Sequence, residues 1–122
     1  RFAPRAGAGE LGSDPQGSIL AGTWNKSASI AAAPYKVEGI GQDKVPGTLD
    51  MSVMDDFITV NDRDAFATAR RLTREEGLFV GGSAGLITWA ALQVAKQVDD
   101  PDACVVTFLC DTGERYLSKL YN

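Results

Sequence analysis

The sequence predicts an α/β fold with a mostly parallel sheet, and two observations carry this prediction. Residues 56–122 alternate three times between a short apolar segment and a helix-forming segment, which is the pattern of strands and helices packed in layers. The run ACVVTFLC at 103–110 is almost continuously apolar. Such runs are typical of parallel strands that are covered on both faces.

The chain begins with residues whose pattern predicts little regular structure. RFAPRAGAGELG at 1–12 is rich in Arg, Ala, Gly and Pro and predicts a disordered arm or a segment of artificial origin, so that the domain extends over 13–122. SDPQGSIL at 13–20 predicts a turn at Asp14-Pro15. Residues 21–53 predict mostly loop, with glycines at positions 39, 41 and 47. A loop of this length in a small domain is usually functional.

The second half of the chain has clear periodicity. DDFITV at 55–60 predicts a strand. A helix follows over 61–77, with Asn61 or Asp62 as its N-cap and Gly77 as its C-terminal stop. LFV at 78–80 predicts a short strand, and 113–122 predicts a final helix. Between them, a largely buried helix is predicted by apolar side chains at helical spacing: Ile87, Ala90, Ala91, Val94, Ala95 and Val98, widened by Leu86 and Trp89.

The segment Gly81-Gly82-Ser83-Ala84-Gly85 allows three interpretations. A nucleophile elbow needs a histidine to activate its serine, and the sequence contains none. The segment is also compatible with a glycine turn that cradles a phosphate. In the third interpretation it is a tight strand-to-helix connection, in which the glycines supply positive φ and Ser83 caps the helix. The spacing does not match the dinucleotide-binding pattern.

Composition excludes several classes of function. The net charge is −4, which disfavours a nucleic-acid or membrane partner, and Arg70, Arg71 and Arg74 predict a solvated helix face. Cys104 and Cys110 lie about 20 Å apart along one predicted strand, too far for a disulfide. The sequence thus predicts reduced thiols and a cytoplasmic protein. Without histidines or closely spaced cysteines, no metal site is expected.

Four blocks together resemble a known family: SDPQGSIL, YKVEGIGQDKVP, AFATARRLTREEGLFVGGSAG and VVTFLCDTGERYLSKLYN. Their order and spacing over Ser13–Asn122 are similar to the second half of the pyridoxal-phosphate enzymes of the cystathionine β-synthase and cysteine synthase type. The resemblance implies a partial three-layer α/β sandwich of the tryptophan synthase β-like kind (fold type II). It also implies pyridoxal 5′-phosphate as cofactor, and β-replacement of serine or an activated serine by a thiol or sulfide. The parent enzyme is expected to be a homodimer.

The resemblance also assigns residues. Thr112 falls on the hydroxyl that bonds the pyridine nitrogen of the cofactor, and Gly39 and Gly41 fall on a loop that lines the cofactor and substrate. Ile40 and Gln42 belong to the expected substrate pocket. A neutral hydroxyl partner leaves the ring nitrogen largely unprotonated, which suits β-elimination. Thr112 is also a natural N-cap for the predicted last helix, and Gly39 and Gly41 are also natural turn residues.

The sequence departs from the family pattern at several positions. Thr112 replaces a usual serine, Cys110 a usual proline, and Gln42 a tyrosine of eukaryotic cystathionine β-synthases. In the family, the Schiff-base lysine and the phosphate-binding glycine loop precede the region that begins at Ser13. The lysines in our sequence are expected to be surface residues: Lys26, Lys36, Lys44, Lys96 and Lys119. We therefore expect no turnover from this chain alone. The alternative is a non-catalytic α/β module that binds a metabolite or a protein.

Overall fold

The computed structural model describes residues 9–122. Two strands, β1 (Leu11–Pro15) and β2 (Asp56–Val60), pair in parallel with Leu11 opposite Asp56 and Pro15 opposite Val60. The helices are α1 (Leu20–Trp24), α2 (Asp62–Glu76) and α3 (Gly82–Ala95), and 3₁₀ turns occur at Met51–Val53 and Gly113–Tyr116. The α/β fold with a parallel sheet is therefore confirmed.

Strand β1 begins before the predicted domain boundary at residue 12. Gly12 lies opposite Phe57 in the sheet, and the Phe57 ring fills the space that a side chain at position 12 would need. Leu11 and Gly12 therefore belong to the sheet and not to the predicted arm. Residues 1–8 of that arm lie outside the described residues.

Helix α2 forms as its sequence predicts. The Asn61 side chain accepts a hydrogen bond from the Asp64 N–H at 2.9 Å, so Asn61 is the N-cap. Gly77 ends the helix with a left-handed φ of 71°. Asp62 is free for another role, because the cap is already provided by its neighbour.

The arginines of α2 divide between two roles. Arg71 pairs with Glu75 one turn later, and both side chains are more than half exposed, as predicted for a solvated face. Arg70 differs, since its Nε donates to the Leu120 carbonyl oxygen at 2.7 Å. This bond ties α2 to the C-terminal segment.

Helices α2 and α3 pack closely because Gly85 has no side chain. A Cβ at position 85 would lie 2.8 Å from the Ala69 Cβ and would overlap the Ala65 carbonyl oxygen. The surrounding core contains Val37, Val60, Ala65, Leu86 and Ala90. Burial of α3 is confirmed at Leu86, Ala90 and Val94, whereas Ala95 is exposed.

The predicted reason for the glycines of α3 was wrong. Among the described residues, the glycines with positive φ are Gly17, Gly39, Gly41 and Gly77, and none belongs to 81–85. Ser83 is not the cap either, because the N-cap position is Gly81 and no side chain caps the helix. These glycines serve close approach of neighbouring segments.

Three further predictions of regular structure were wrong. Residues 103–110 form no hydrogen-bonded strand within 9–122, and Val80 contributes only a single antiparallel bridge with Thr112. The final helix is reduced to the 3₁₀ turn Gly113–Tyr116. Residues 21–53 are mostly loop, as predicted, and the helical residues there belong to α1 and to the turn Met51–Val53. A strand needs neighbours for its backbone groups, and 103–110 has none in this part of the chain.

A groove of about 920 Å³ lies between 103–108 and the body of the domain, and its wall includes Leu11, Ile58, Ile87 and Val94. The segment 103–108 is apolar and yet unusually exposed to solvent: the exposed fraction is 79% at Val106 and 76% at Phe108.

Cys104 and Cys110 are exposed free thiols. No helix within 9–122 has the length and apolar character needed to cross a membrane.

We expect Gly85→Ala to lower the free energy of unfolding by about 1–3 kcal/mol, because the added methyl overpacks the contact between α2 and α3. Gly47→Ala is the matched control, since nothing lies within 4 Å of a Cβ there. Urea denaturation of both variants checks this. Equal stability of the two variants would show that the helices separate without cost.

We also expect the 122-residue chain to self-associate through the exposed apolar residues of 104–109. The double substitution Val106→Lys and Phe108→Lys should shift the sedimentation-velocity profile toward monomer. Val53→Lys is the control, because Val53 is 49% exposed but lies elsewhere. A compact monomer for the unsubstituted chain would contradict the expectation.

Candidate functional site

Two segments converge at the start of α3, and the first is the turn that carries Thr112. The Gly81 N–H donates to the Asp111 carbonyl oxygen at 3.2 Å, and the Gly113 N–H donates to the Phe79 carbonyl oxygen at 3.1 Å. A Cβ at position 81 would lie 2.7 Å from the Tyr116 ring and would overlap the Asp111 carboxylate. Glycine at position 81 therefore lets this turn lie directly against the helix.

The second segment is the loop 35–42, which α2 holds by its first residue. Both carboxylate oxygens of Asp62 accept the Lys36 N–H at 2.9 Å, and one of them accepts the Val37 N–H at 3.1 Å. Val37 is 2% exposed and packs beside Gly82, where a Cβ would be 3.6 Å from the Val37 methyl carbon. The two segments thus contact adjacent residues of α3.

The predicted loop residues Gly39–Gln42 have a fixed backbone. Gly39 and Gly41 have φ values of 79° and 80°, which favour glycine. At Gly41 a Cβ would lie 2.6 Å from the Tyr35 hydroxyl and would overlap Pro15. At Gly39 nothing lies within 4 Å of a Cβ, so this residue borders open space.

Ser18 fastens the end of this loop. Its Oγ accepts the Gln42 N–H at 2.9 Å and donates to the Gln42 carbonyl oxygen at 3.1 Å. The same carbonyl accepts the Ile19 N–H at 2.9 Å. Gln42 is exposed, whereas Ile40 is half-buried and packs against the core. The backbone of the expected substrate loop is therefore held to the turn that follows β1.

An ion pair joins the two segments. The Lys119 ammonium contacts the Glu38 carboxylate; Glu38 precedes Gly39, and Lys119 follows the Thr112 turn. The charge of Glu38 also acts on Tyr116. The structure thus places Thr112 and Gly39–Gln42 in two linked segments at one end of α3.

Thr112 presents an exposed side chain from a rigid turn. It occupies the N-cap position of Gly113–Tyr116, but its side chain makes no capping hydrogen bond. The interpretation of this hydroxyl as a helix cap is therefore wrong. The hydroxyl is therefore exposed and makes no capping bond, which leaves it available to a ligand.

A hydrogen bond joins Tyr116 to Asp111 at this site. The Tyr116 hydroxyl donates to Asp111 Oδ2 at 2.6 Å. This bond, with burial and the charges of Asp111 and Glu38, raises the pKa of Tyr116 to about 12, while Arg115 acts in the opposite direction. Burial, Asp14 and Asp43 raise the pKa of Tyr35.

The position of Asp111 disfavours a phosphate cradle at Gly81–Gly85. Its Oδ1 is buried, without a hydrogen-bond partner among the described residues, beside Gly81. A carboxylate at this end of α3 already uses the favourable field of the helix N-terminus and would repel a phosphate.

Among residues 9–122, no group of three or more His, Cys, Asp or Glu side chains is arranged to hold a metal ion.

Sequence reasoning missed the residues that fix the site. Ser18, Asp62, Asp111 and Tyr116 do so through hydrogen bonds and packing. A signal existed for Ser18, which lies in the recognised SDPQGSIL block, and for Asp111 and Tyr116, which flank Thr112. None existed for Asp62, because the helix-start pattern explained it as a cap.

Comparison with known proteins gives a consistent set of relatives. The profile of the family described as pyridoxal-phosphate dependent enzyme matches residues 7–111. Cystathionine beta-synthase of Dictyostelium discoideum is 42% identical over 112 residues, which are 92% of this chain and 22% of that protein. The protein of the same name from Mus musculus is 42% identical over 109 residues, which are 89% of this chain and 19% of that protein.

A solved structure matches as well. A mutant O-ureido-L-serine synthase, crystallised with O-ureido-L-serine, superposes with a TM-score of 0.79 at 36% sequence identity. The match covers 96% of this chain and 35% of that one. The chain therefore spans about a fifth of the length of the curated relatives and about a third of the solved structure.

The raised pKa of Tyr116 predicts a loss of stability at alkaline pH. The folded-state pKa, about 12, lies above the ordinary value of 10.0, so this contribution is complete below pH 10 and disappears as the pH rises through about 12. Tyr116→Phe should lose less stability than the wild type over this interval. Unfolding free energies measured in urea at several pH values check this, and parallel pH profiles would contradict it.

Proposed function

Because the chain belongs to the family of pyridoxal-phosphate dependent enzymes, we propose that it forms one wall of the cofactor cleft of a β-replacement enzyme. The proposed substrates are serine or an activated serine, together with a thiol or sulfide. The match to a solved structure confirms the fold-type-II architecture for this region. The family binds pyridoxal 5′-phosphate, which supplies the electron-withdrawing ring that permits loss of the β-substituent.

The uncommitted hydroxyl of Thr112 is the observation that carries this proposal. A group meant to bond a neutral pyridine nitrogen must be a donor without charge, exposed and held in place. Thr112 has these properties: its side chain is exposed and forms no cap, while the backbone on both sides is hydrogen-bonded to Phe79 and Gly81. The residues present therefore fit the pyridine end of the cofactor.

The loop Gly39–Gln42 is proposed to line the cofactor and substrate. Gly39 borders open space, which allows a planar ligand to approach the backbone closely. Ile40 and Gln42 would contact the substrate, and their backbone positions are set by Ser18 and by the core. Gln42 offers an amide where a phenol occurs in some relatives. This difference supports a substrate preference of its own.

The covalent anchor of the cofactor is proposed to come from residues outside 13–122. The lysines of the chain lie in exposed positions: Lys26, Lys36, Lys44, Lys96 and Lys119. Lys119 is engaged by Glu38. We propose that the chain alone does not turn over, and that the parent is a dimeric cytoplasmic lyase acting in cysteine biosynthesis.

Titration of the isotope-labelled 122-residue chain with pyridoxal phosphate tests the proposal. We expect amide shifts centred on Gly39, Gly41 and Gly113, and no stoichiometric lysine adduct after borohydride reduction. Thr112→Val should weaken binding about 2- to 12-fold, as expected for the loss of one hydrogen bond of about 0.5–1.5 kcal/mol. Thr112→Ser, which keeps the hydroxyl, is the matched control.

Two outcomes would overturn this assignment. Equal affinity of the wild type and Thr112→Val would remove the role of the hydroxyl. Shifts confined to another surface, such as the shallow pocket lined by Arg70, Thr73 and Tyr121, would favour the non-catalytic binding module. A stoichiometric adduct on one of the five lysines would contradict only the proposed origin of the covalent anchor.

A further inference from the structure

The two neighbours of Thr112 are fixed much more firmly than Thr112 itself. Asp111 is held through its backbone by Gly81. Gly113 is buried, donates to the Phe79 carbonyl oxygen, and has no room for a Cβ because the Phe79 ring fills that space. Thr112 is exposed between them. The direction of its hydroxyl therefore depends on how rigidly the turn is closed.

Tyr116 closes this turn through its side chain. Its hydroxyl reaches back over Thr112 and Gly113 to Asp111 Oδ2 at 2.6 Å, and its ring lies against Gly81. Its carbonyl oxygen accepts the N–H groups of Lys119, Leu120 and Tyr121, and Leu120 is 2% exposed. Tyr116 is thus anchored to the core independently of Asp111, which makes it a firm support.

Burial of the Asp111 carboxylate lowers the stability of the fold, so its presence is not explained by a stabilising role alone. Its Oδ1 is buried without a partner among the described residues. An unpaired buried acceptor destabilises a fold, and the field at the start of α3 and the Tyr116 bond to Oδ2 offset this only in part. A side chain kept under these conditions is expected to have a further role in the turn that it closes.

We infer that Asp111 and Tyr116 are positioning residues, which together hold the Thr112 hydroxyl in one direction toward the cleft. This inference rests on the proposed function of Thr112. The pair does not contact the cofactor in this scheme. In this scheme Tyr116 fixes Asp111, and Asp111 fixes the backbone at Thr112. The fixed backbone then restricts χ1 of the β-branched Thr112 side chain to one rotamer.

The χ1 rotamer of Thr112 provides a test without cofactor. Three-bond couplings from the backbone nitrogen and carbonyl carbon to the Thr112 methyl carbon report the rotamer in the labelled chain. We expect one rotamer in the wild type and averaged couplings in Asp111→Ala and Tyr116→Phe. Asp111→Asn retains a side-chain oxygen that can accept the Tyr116 hydroxyl, so it should restore the wild-type couplings in part.

Tyr121→Phe is the matched control for the loss of a phenol. The Tyr121 hydroxyl donates to the Val80 carbonyl oxygen at 2.6 Å, so its removal also costs stability, but it does not contact Asp111. Single-rotamer couplings in folded Tyr116→Phe, or equal averaging in Tyr121→Phe, would overturn the inference. Tyr116→Phe conserves volume and carries the test alone if Asp111→Ala does not fold.

A second measurement links the pair to binding. In a double-mutant cycle, the affinity ratio between Thr112 and Thr112→Val for pyridoxal phosphate should fall to about 1 in the Tyr116→Phe background. An unchanged ratio would contradict positioning. If Thr112→Val has no effect even in the wild type, the proposed function fails, whereas the rotamer result still decides whether the pair orders Thr112.

Discussion

The closeness of other segments to the start of α3 is the constraint on which the site depends. Gly85 admits α2, Gly82 admits the side chains of Val37 and Phe66, and Gly81 admits Asp111 and Tyr116. The absence of side chains at these three glycines thus leaves three spaces near the start of α3. Different parts of the chain fill these spaces. The start of α3 therefore determines where the loop 35–42 and the Thr112 turn lie.

Polar contacts then fix what close packing has brought together. Asp62 binds the backbone of Lys36 and Val37, Ser18 binds Gln42, and Asp111 binds Tyr116. In each case one side chain holds a neighbouring segment in place: Asp62 and Ser18 bind backbone groups, and Asp111 binds a side-chain hydroxyl. The proposed ligand-binding groups therefore do not have to maintain their own positions, and Thr112 in particular keeps its hydroxyl uncommitted.

The parts of the fold that the sequence predicts well are those set by neighbours along the chain. Helix α2 has its cap at Asn61 and its stop at Gly77, and β2 contains the expected residues. The segment 103–110 and the last ten residues were mispredicted because their structure depends on partners distant in sequence or outside the described part. Thr112, Gly39 and Gly41 were predicted as site residues through the resemblance alone. The role of Asp62 could not be predicted from the sequence, because the residue that it binds lies 26 positions away along the chain.

The crowding at Gly81 has an evolutionary consequence. A methyl group there collides with Asp111 and with Tyr116 at once, so a replacement at position 81 requires both of these side chains to shift. Either shift would loosen the turn, because these two side chains close it. We therefore expect substitutions at positions 81, 111 and 116 to depend on one another, although these positions lie thirty or more residues apart along the chain.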